Sequence, residues 1–482
     1  MKKANFEDFK LSSDLLKAIS LLSFTDLTKV QEQVIPAVLA KKDVVVKSQT
    51  GSGKTAAYGI PICQLVDWEE NKPQALVLTP TRELAIQVKE DIFNIGRFKR
   101  LKVAAIYGQD SFYNQKKELK QKTHVVVGTP GRIIDHLDKG TIDMSNIKYL
   151  VIDEADEMLN MGFVDQIEII INSLPKYRVT MLLSATMPKH IEKLCSKYMK
   201  DPVRIDIEDE NKAEDNISQE RYNVNEQDKI KLLRDITVVE NPDSCMIFCN
   251  RKIKVDEVYS EMVNLNYTCK KIHGGMEQSD RLIVMNDFKK GYFRYLVATD
   301  VAARGIDIDD ISLVINYDIP EDRESYVHRI GRTGRIGKLG HAITFSSPNE
   351  NRFLEDIQEY IGKEIPLKTK PEVETVNDAK EEFEDKMNTT PELKEAKGAE
   401  LSKEIMKLHI NAGKKTKMRA MDIVGTLCSI EGMTKGDIGI INIIDISTFV
   451  EILNNKGELV FQQLQETPIK GRLRSVSKVI YE

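Results

Sequence analysis

The chain has 482 residues, of which 41% are hydrophobic and 30% charged, and its formal net charge is −5. That length exceeds one ordinary core, and the balance is that of a globular protein rather than a disordered or fibrous one. The small negative net charge excludes a strongly basic coat, so a nucleic-acid site has to be a local patch.

The N-terminal stretch "MKKANFEDFKLSSDLL" has two lysines but no apolar run behind them, unlike a secretory signal. No apolar run is long enough to span a bilayer, so a cytoplasmic protein without membrane contact is expected. The six cysteines are scattered. Cys245 and Cys249 read as buried reduced thiols within a strand rather than a zinc pair.

Residues 1–207 alternate strand patterns ("DVVVKS", "QALVLTP", "KVAAIYG", "HVVVGTP", "YLVIDEAD", "VTMLLSAT") with amphipathic runs such as "TRELAIQVKEDIFNIGRF". This predicts a parallel sheet covered on both faces. Residues 208–220, "EDENKAEDNISQE", read as a linker. The same rhythm returns over 221–368 in "CMIFCN", "TCKKIHG", "RYLVATD", "LVINYDI" and "AITFSS", predicting a second α/β domain. Residues 369–403 are charged and poor in strand formers, which predicts a solvated, partly helical connector. Residues 404–482 predict a small α+β domain. Its strand candidates are "DIVGTLCSI", "IGIINII", "TFVEIL" and "RLRSVSKVI", and its helix candidate is "GELVFQQLQ".

Two stretches carry chemistry. "SQTGSGKT" (residues 48–55) follows a strand and opens a helix, the context of a phosphate-binding loop. Gly51 and Gly53 let backbone N–H groups approach phosphates; Lys54 can reach the β- and γ-phosphates, and Thr55 can offer its hydroxyl to Mg²⁺. In "YLVIDEAD" the apolar run Tyr149–Ile152 delivers Asp153 to the C-terminal end of a strand, where ligands bind in parallel sheets. Asp153 can hold Mg²⁺, and Glu154 can polarise the attacking water. A nucleotide triphosphate site follows, but not the use made of it.

The "DEAD" at Asp153–Asp156 resembles the defining motif of DEAD-box RNA helicases, and further motifs follow that family's order over residues 1–368. The resemblance implies two tandem RecA-like domains and ATP with Mg²⁺ as cofactors. It implies that Gln31, in "LTKVQ", reads adenine while Phe6 stacks on it, and that Gln49, Thr50, Gly51, Ser52, Gly53, Lys54 and Thr55 hold the phosphates. "SAT" (Ser184–Thr186), with Asp156 and His328, resembles the elements coupling hydrolysis to unwinding. "HRIGRTGR" (His328–Arg335) implies that Arg332 and Arg335 act as arginine fingers across the inter-domain cleft, with Asp307 beside the nucleotide. Thr81 and Arg82 of "PTRELA", Gly108, Thr129 and Arg132 of "TPGR", Gln278 and Arg281 of "QSDR", and Thr299 match RNA-backbone contacts. Their hydroxyls, amides and guanidinium groups suit phosphate and 2′-OH recognition. The second glycine the family carries after Gly108 is replaced by Gln109.

The C-terminal stretches "MDIVGTLCSIEGMTKGDIGIINI", "TFVEI" and "KGRLRSVSK" resemble the RNA-recognition-motif domain of DbpA/YxiN-type proteins. Phe449 is the only aromatic in its degraded stacking signature "ISTFVEI". The basic stretches "GKKTKMR" and "KGRLR", with Lys470, Arg472 and Arg474, are therefore the expected grip on structured RNA. The resemblance implies a monomeric, RNA-stimulated helicase without a stable protein partner. Its implied target is a large-subunit (23S) ribosomal RNA hairpin near the peptidyl-transferase centre, on pre-50S particles in ribosome assembly. An ATP-gated RNA clamp without productive unwinding shares every one of these motifs and stays open as an alternative.

Overall fold

Residues 44–47, "VVVK", are hemmed by helices on both faces and pair with parallel neighbours on both edges, which is why they read as an unbroken apolar run. The computed structural model describes residues 5–49, 51–207, 216–300, 311–334, 339–389, 393 and 398–479. The first sheet comprises β1 (Val44–Lys47), β2 (Ala75–Leu78), β3 (Val103–Ile106), β4 (Val125–Gly128), β5 (Tyr149–Ile152), β6 (Val179–Ser184) and β7 (Val203–Asp206). Its order is β3-β4-β2-β5-β6-β1-β7, all parallel. Alternate residues of each strand face one of two apolar layers: Val44 and Val46 pack into one, Val45 into the other.

The second sheet comprises β8 (Ile217–Asn223), β9 (Cys245–Phe248), β10 (Cys269–Ile272), β11 (Tyr295–Ala298), β12 (Leu313–Asn316), β13 (Gly340–Ser346) and β14 (Leu367–Lys368), ordered β10-β11-β9-β12-β13-β8-β14. The strand β8 starts inside the stretch expected to be linker, because Ile217 and its successors pair with β13 from Gly340 onward. Cys245 and Cys249 carry free thiols in this core, where burial raises their pKa.

The connector is less solvated than its charge suggests. Val373–Asn388 is a helix that packs Phe383 against the second domain. Val376, Ala379, Phe383 and Met387 form an apolar stripe at helical spacing among the charges. Arg294 Nη2 donates to the Lys386 carbonyl at 2.9 Å and secures the last turn. The short helix Ala399–Glu404 then places Leu401 in the first domain's apolar layer.

The C-terminal domain is a four-stranded antiparallel sheet of β15 (Met406–Ile410), β16 (Ile438–Ile443), β17 (Thr448–Ile452) and β18 (Val476–Lys478), in the order β16-β17-β15-β18. Helices Ala420–Cys428 and Gly457–Gln463 cover one face. "DIVGTLCSI", expected as a strand, is helical. Ile423 and Leu427 are buried four residues apart, and Arg419 N donates to Asp422 Oδ2 at 2.9 Å across the first turn. The strand β15 alternates Met-Lys-Leu-His-Ile yet was not among the expected strands; it is one of the two central strands.

Candidate functional site

The order of the first sheet divides the functional residues. The strands β5, β6 and β1 are neighbours, so the loops after them bring Asp153, Ser184 and the phosphate loop to one place. Ser48 N donates to the Ser184 carbonyl at 3.0 Å, which ties the loop's first residue to the neighbouring strand. The strands β3, β4 and β2 form the other half, and the loops after them carry Gly108, Thr129, Thr81 and Arg82.

In the phosphate loop Gly51 and Gly53 have φ of +79° and +87°, a left-handed backbone that glycine adopts without cost. A Cβ on Gly53 would be strained at that φ and would lie 2.7 Å from Gln31 Nε2, displacing the amide. Gln31 Nε2 donates to the Gly53 carbonyl at 3.3 Å, and its Oε1 accepts from Thr28 N at 3.1 Å. Gln31 therefore links the helix Lys29–Leu39 to the loop. Ser52 Oγ donates to the Gln49 carbonyl at 2.9 Å, and buried Lys54 donates Nζ to the Ser48 carbonyl at 3.0 Å. Phe6 is 3% exposed within the core, so stacking on a base would require its cover to open.

Asp153 is buried, and its carboxylate accepts from Tyr58 Oη at 2.8 Å and from Glu154 N at 3.0 Å. Burial raises its pKa, with Lys54 opposing the shift. Glu154 stands at φ +49°, a strained backbone for a residue with a side chain. Removal from water and the Asp153 charge push its carboxyl up to about 7, while Lys54 and Arg332 pull against them. Among the described residues no group of three or more His, Cys, Asp or Glu side chains forms a metal cage. This donor set fits Mg²⁺ all the same, because that ion is held by one or two carboxylates plus substrate phosphates rather than by an all-protein cage. Asp153 and the Thr55 hydroxyl would hold it, and it would supply charge neutralisation at the phosphates.

Asp156 sits beneath this pair. Its Oδ2 accepts from Ala185 N at 3.0 Å, Thr186 N at 2.8 Å and Thr186 Oγ1 at 3.1 Å, while its own N donates to Ser184 Oγ at 3.2 Å. "SAT" and "DEAD" are thus one hydrogen-bonded unit.

The second domain closes over this edge. Arg332 is 6% exposed and near enough to act electrostatically on Glu154. His328 Nδ1 lies 3.0 Å from Glu157 Oε1. Gln278 Nε2 donates to Glu83 Oε1 at 2.9 Å, and Arg281 Nη2 reaches the same oxygen at 2.8 Å. Arg82 Nη1 donates to Gln278 Oε1 at 3.2 Å and also to Gln109 Oε1. Gln109 thus turns the missing second glycine into a side-chain contact with Arg82. Arg132 lies within 3.5 Å of Gln115 and of Asp135, the latter one turn on in its own helix. Thr81 caps the helix Arg82–Ile95, accepting from Leu84 N at 3.2 Å, and Thr129 precedes the helix Pro130–Asp138. Thr299 follows β11 and donates its N to the Ile272 carbonyl at 3.3 Å. Thr50, Asp307 and Arg335 lie outside the described residues.

Sequence reasoning missed Glu83, Glu157, Tyr58 and Arg329. Arg329 is fully buried and holds Asp300 at 2.5 and 2.7 Å, Asn250 at 2.7 Å and the Asp318 carbonyl at 2.6 Å. Its place in "HRIGRTGR" was visible; its structural duty was not. In the C-terminal domain Lys470 Nζ donates to the Lys417 carbonyl and lies 3.2 Å from Asp422, so the two basic stretches meet. Arg472 is exposed and Arg474 half-exposed beside them.

A phosphate loop and an acidic pair on one RecA-like domain, faced by Arg332 of a second, define a two-domain nucleoside-triphosphate-dependent enzyme whose site is completed across the cleft. Three family descriptions match: "DEAD/DEAH box helicase" over 28–194, "Helicase conserved C-terminal domain" over 228–337 and "DbpA RNA binding domain" over 407–478. The ATP-dependent RNA helicase DbpA of Bacillus subtilis (strain 168) is 56% identical over 475 residues, 98% of this chain and 99% of that protein. The DEAD-box ATP-dependent RNA helicase CshA of the same organism is 44% identical over 76% of this chain and 74% of its own length. The structure of Saccharomyces cerevisiae Dbp5 bound to RNA and ADP BeF3 is 30% identical and superposes with a TM-score of 0.70, covering 80% of this chain and all of that one. The chain belongs to the DbpA-type DEAD-box ATP-dependent RNA helicases. No helix among the described residues is long and apolar enough to cross a membrane.

Proposed function

We propose that this helicase acts in the cytoplasm as a monomer, uses Mg²⁺ with its ATP, and is directed by its C-terminal domain to a structured element of 23S ribosomal RNA during assembly of the large subunit. The meeting of the two basic stretches at Lys470 and Lys417 carries this reading. It gives the tail a compact cationic patch on a domain with its own apolar core, while the core's candidate contacts suit RNA backbone of any sequence. ATP binding closes the two RecA-like domains through Arg332 and the Glu83 cluster. The closed form distorts a duplex near the anchored element, and hydrolysis releases it. An anchored site also raises the effective concentration of nearby duplexes.

The test compares ATPase stimulation by a 23S hairpin and by unrelated RNA at one salt concentration. Stronger stimulation by the hairpin is expected, reduced toward the unrelated level when Lys470, Arg472 and Arg474 are neutralised together. Equal stimulation by both RNAs removes the targeting. A duplex-displacement assay on the same RNA separates unwinding from an ATP-gated clamp.

A further inference from the structure

The tail does not hang free. Its sheet faces the first RecA-like domain, and buried Arg97 Nη2 meets buried Glu451 at 3.1 Å between them. Arg100 Nε donates to the Ile438 carbonyl at 2.7 Å, and Lys102 Nζ donates to the Ile441 carbonyl at 2.9 Å. Leu453, on the tail, packs in the first domain's apolar layer.

Beside this seam lies a groove of about 900 Å³ whose walls come from both domains. Eight lysines line it against three carboxylates. One of those carboxylates, Glu451, already pairs with Arg97. Lys117, Lys120 and Lys122 stand on the first-domain wall; Lys407, Lys414 and Lys415 stand on the tail wall. Such crowding of like charge is unfavourable unless an anion occupies the space. Lys102 shows the strain: burial, with Lys122 and Lys414 nearby, lowers its pKa to about 8. The tail's Phe449 also lines the groove, half-buried, with Lys407 Nζ 5.4 Å from its ring centroid. Asn442, Asn114 and Gln121 add amides able to meet base edges. The volume is that of a small-ligand cleft, which accommodates a few unpaired nucleotides and not a duplex.

We propose that this groove is a composite site for a single-stranded RNA segment, separate from the helicase cleft and adjoining the Lys470 patch, with which it shares the stretch "GKKTKMR" through Lys414 and Lys415, and complete only while the tail is docked. Phosphates would lie along the lysines of both walls, with a base against Phe449. The proposal does not depend on which RNA the Lys470 patch selects.

The experiment uses the full chain, without nucleotide, and a short fluorescent single-stranded RNA titrated at several salt concentrations. Two charge-reversal pairs are made, K120E/K122E on the first domain and K414E/K415E on the tail, plus the quadruple variant; unchanged melting curves verify folding. Each pair should weaken binding at least about tenfold and lower the salt slope by about 1.4, the value for two lost phosphate contacts on a single strand. The quadruple variant should lose less than the product of the two pairs, because either pair alone already empties a shared path. An independent arm crosslinks photoreactive RNA, which should reach Lys120–Lys122 and Lys414–Lys415 peptides on the same oligonucleotide. Strictly multiplicative losses, or crosslinks to one wall only, would overturn the composite site. Unchanged RNA affinity in K120E/K122E would overturn the assignment to RNA, as would tighter binding of an acidic peptide than of the oligonucleotide. Loss of hairpin preference in the Lys470 variant, with this single-strand binding intact, would bear on targeting alone.

Discussion

One oxygen of Glu83 accepts from both Arg281, at 2.8 Å, and Gln278, at 2.9 Å, so a single carboxylate of the first domain holds two side chains of the second. All three residues are buried in the closed arrangement. Removing one partner of a buried ion pair costs roughly 3–5 kcal/mol, since the other charge is left without compensation. Opening the domains lets Arg281 reach water instead, so Glu83→Ala should shift the population toward the open form rather than unfold the chain. Dyes placed on the two RecA-like domains should report less energy transfer with ATP and RNA bound. Wild-type transfer would show that Glu83 does not govern closure.

The ATPase centre makes a separable set of predictions. Lys54→Ala should abolish tight ATP binding, because a charge-assisted phosphate contact is lost. Glu154→Gln should bind ATP and RNA but hydrolyse slowly, with longer RNA residence times. Arg332→Ala should slow turnover by about 10³ or more, the range for arginine fingers. Steady-state turnover and nucleotide titration together distinguish the three variants. Normal turnover in Arg332→Ala would take this residue out of the reaction.

Asp156 accepts three hydrogen bonds from Ala185 and Thr186 through one oxygen. Asp156→Asn places an amide where only an acceptor fits if its nitrogen faces them, and removes the charge in either orientation. ATP hydrolysis should fall modestly, while duplex displacement per ATP should fall by an order of magnitude or more. Equal losses in both assays would mean that "SAT" serves hydrolysis itself rather than its coupling.

Much of this was legible beforehand, and the gaps have physical reasons. Asp153 and Ser184 are visible because each stands at the end of a short apolar strand, Lys54 because it opens a helix after a glycine-rich loop that follows one, and the parallel order brings those strand ends together. Glu83 and Glu157 are not, because an acid in the first turn of a helix is ordinary and only the second domain's position gives it a partner. The helix Val373–Asn388 hid its apolar stripe among charges, and "DIVGTLCSI" hid an i, i+4 pair inside a run apolar enough to pass for a strand. The docking of the tail left no sequence signal, since Arg97 and Glu451 look like surface charges until each is seen buried by the other.

That pair yields its own prediction. Arg97 and Glu451 are only 7% and 5% exposed. Arg97→Met or Glu451→Met alone strands a buried charge and should detach the tail. Replacing both with methionine should largely restore docking, because a buried ion pair and an apolar pair of similar volume are often near equivalent. Small-angle scattering would read the detachment as an increase in radius of gyration. A double variant as extended as the singles would mean that the pair supplies attraction that apolar packing does not replace.

The carboxyl of Glu154 predicts an unusual pH dependence of stability in the ligand-free chain. Its pKa rises from 4.5 to about 7, first through burial and then through the Asp153 charge, and the Asp153 carboxyl moves in the same direction. The folded state therefore holds these protons more tightly than the unfolded state. Stability from this source is present below the unfolded pKa and is lost as pH rises through about 7, the reverse of a salt-bridged carboxylate. Glutamine cannot ionise, so Glu154→Gln should melt higher than the parent at pH 8, by roughly 2–4 °C for each kcal/mol relieved in a domain of this size. The difference should shrink steadily as pH falls and level off below 4.5, where the parent carboxyl becomes protonated in both states. Melting curves of the two chains across that range check the sign directly. A constant difference would assign the effect to packing, and a parent more stable than the variant at pH 8 would mean that Arg332 and Lys54 outweigh the burial and the Asp153 charge.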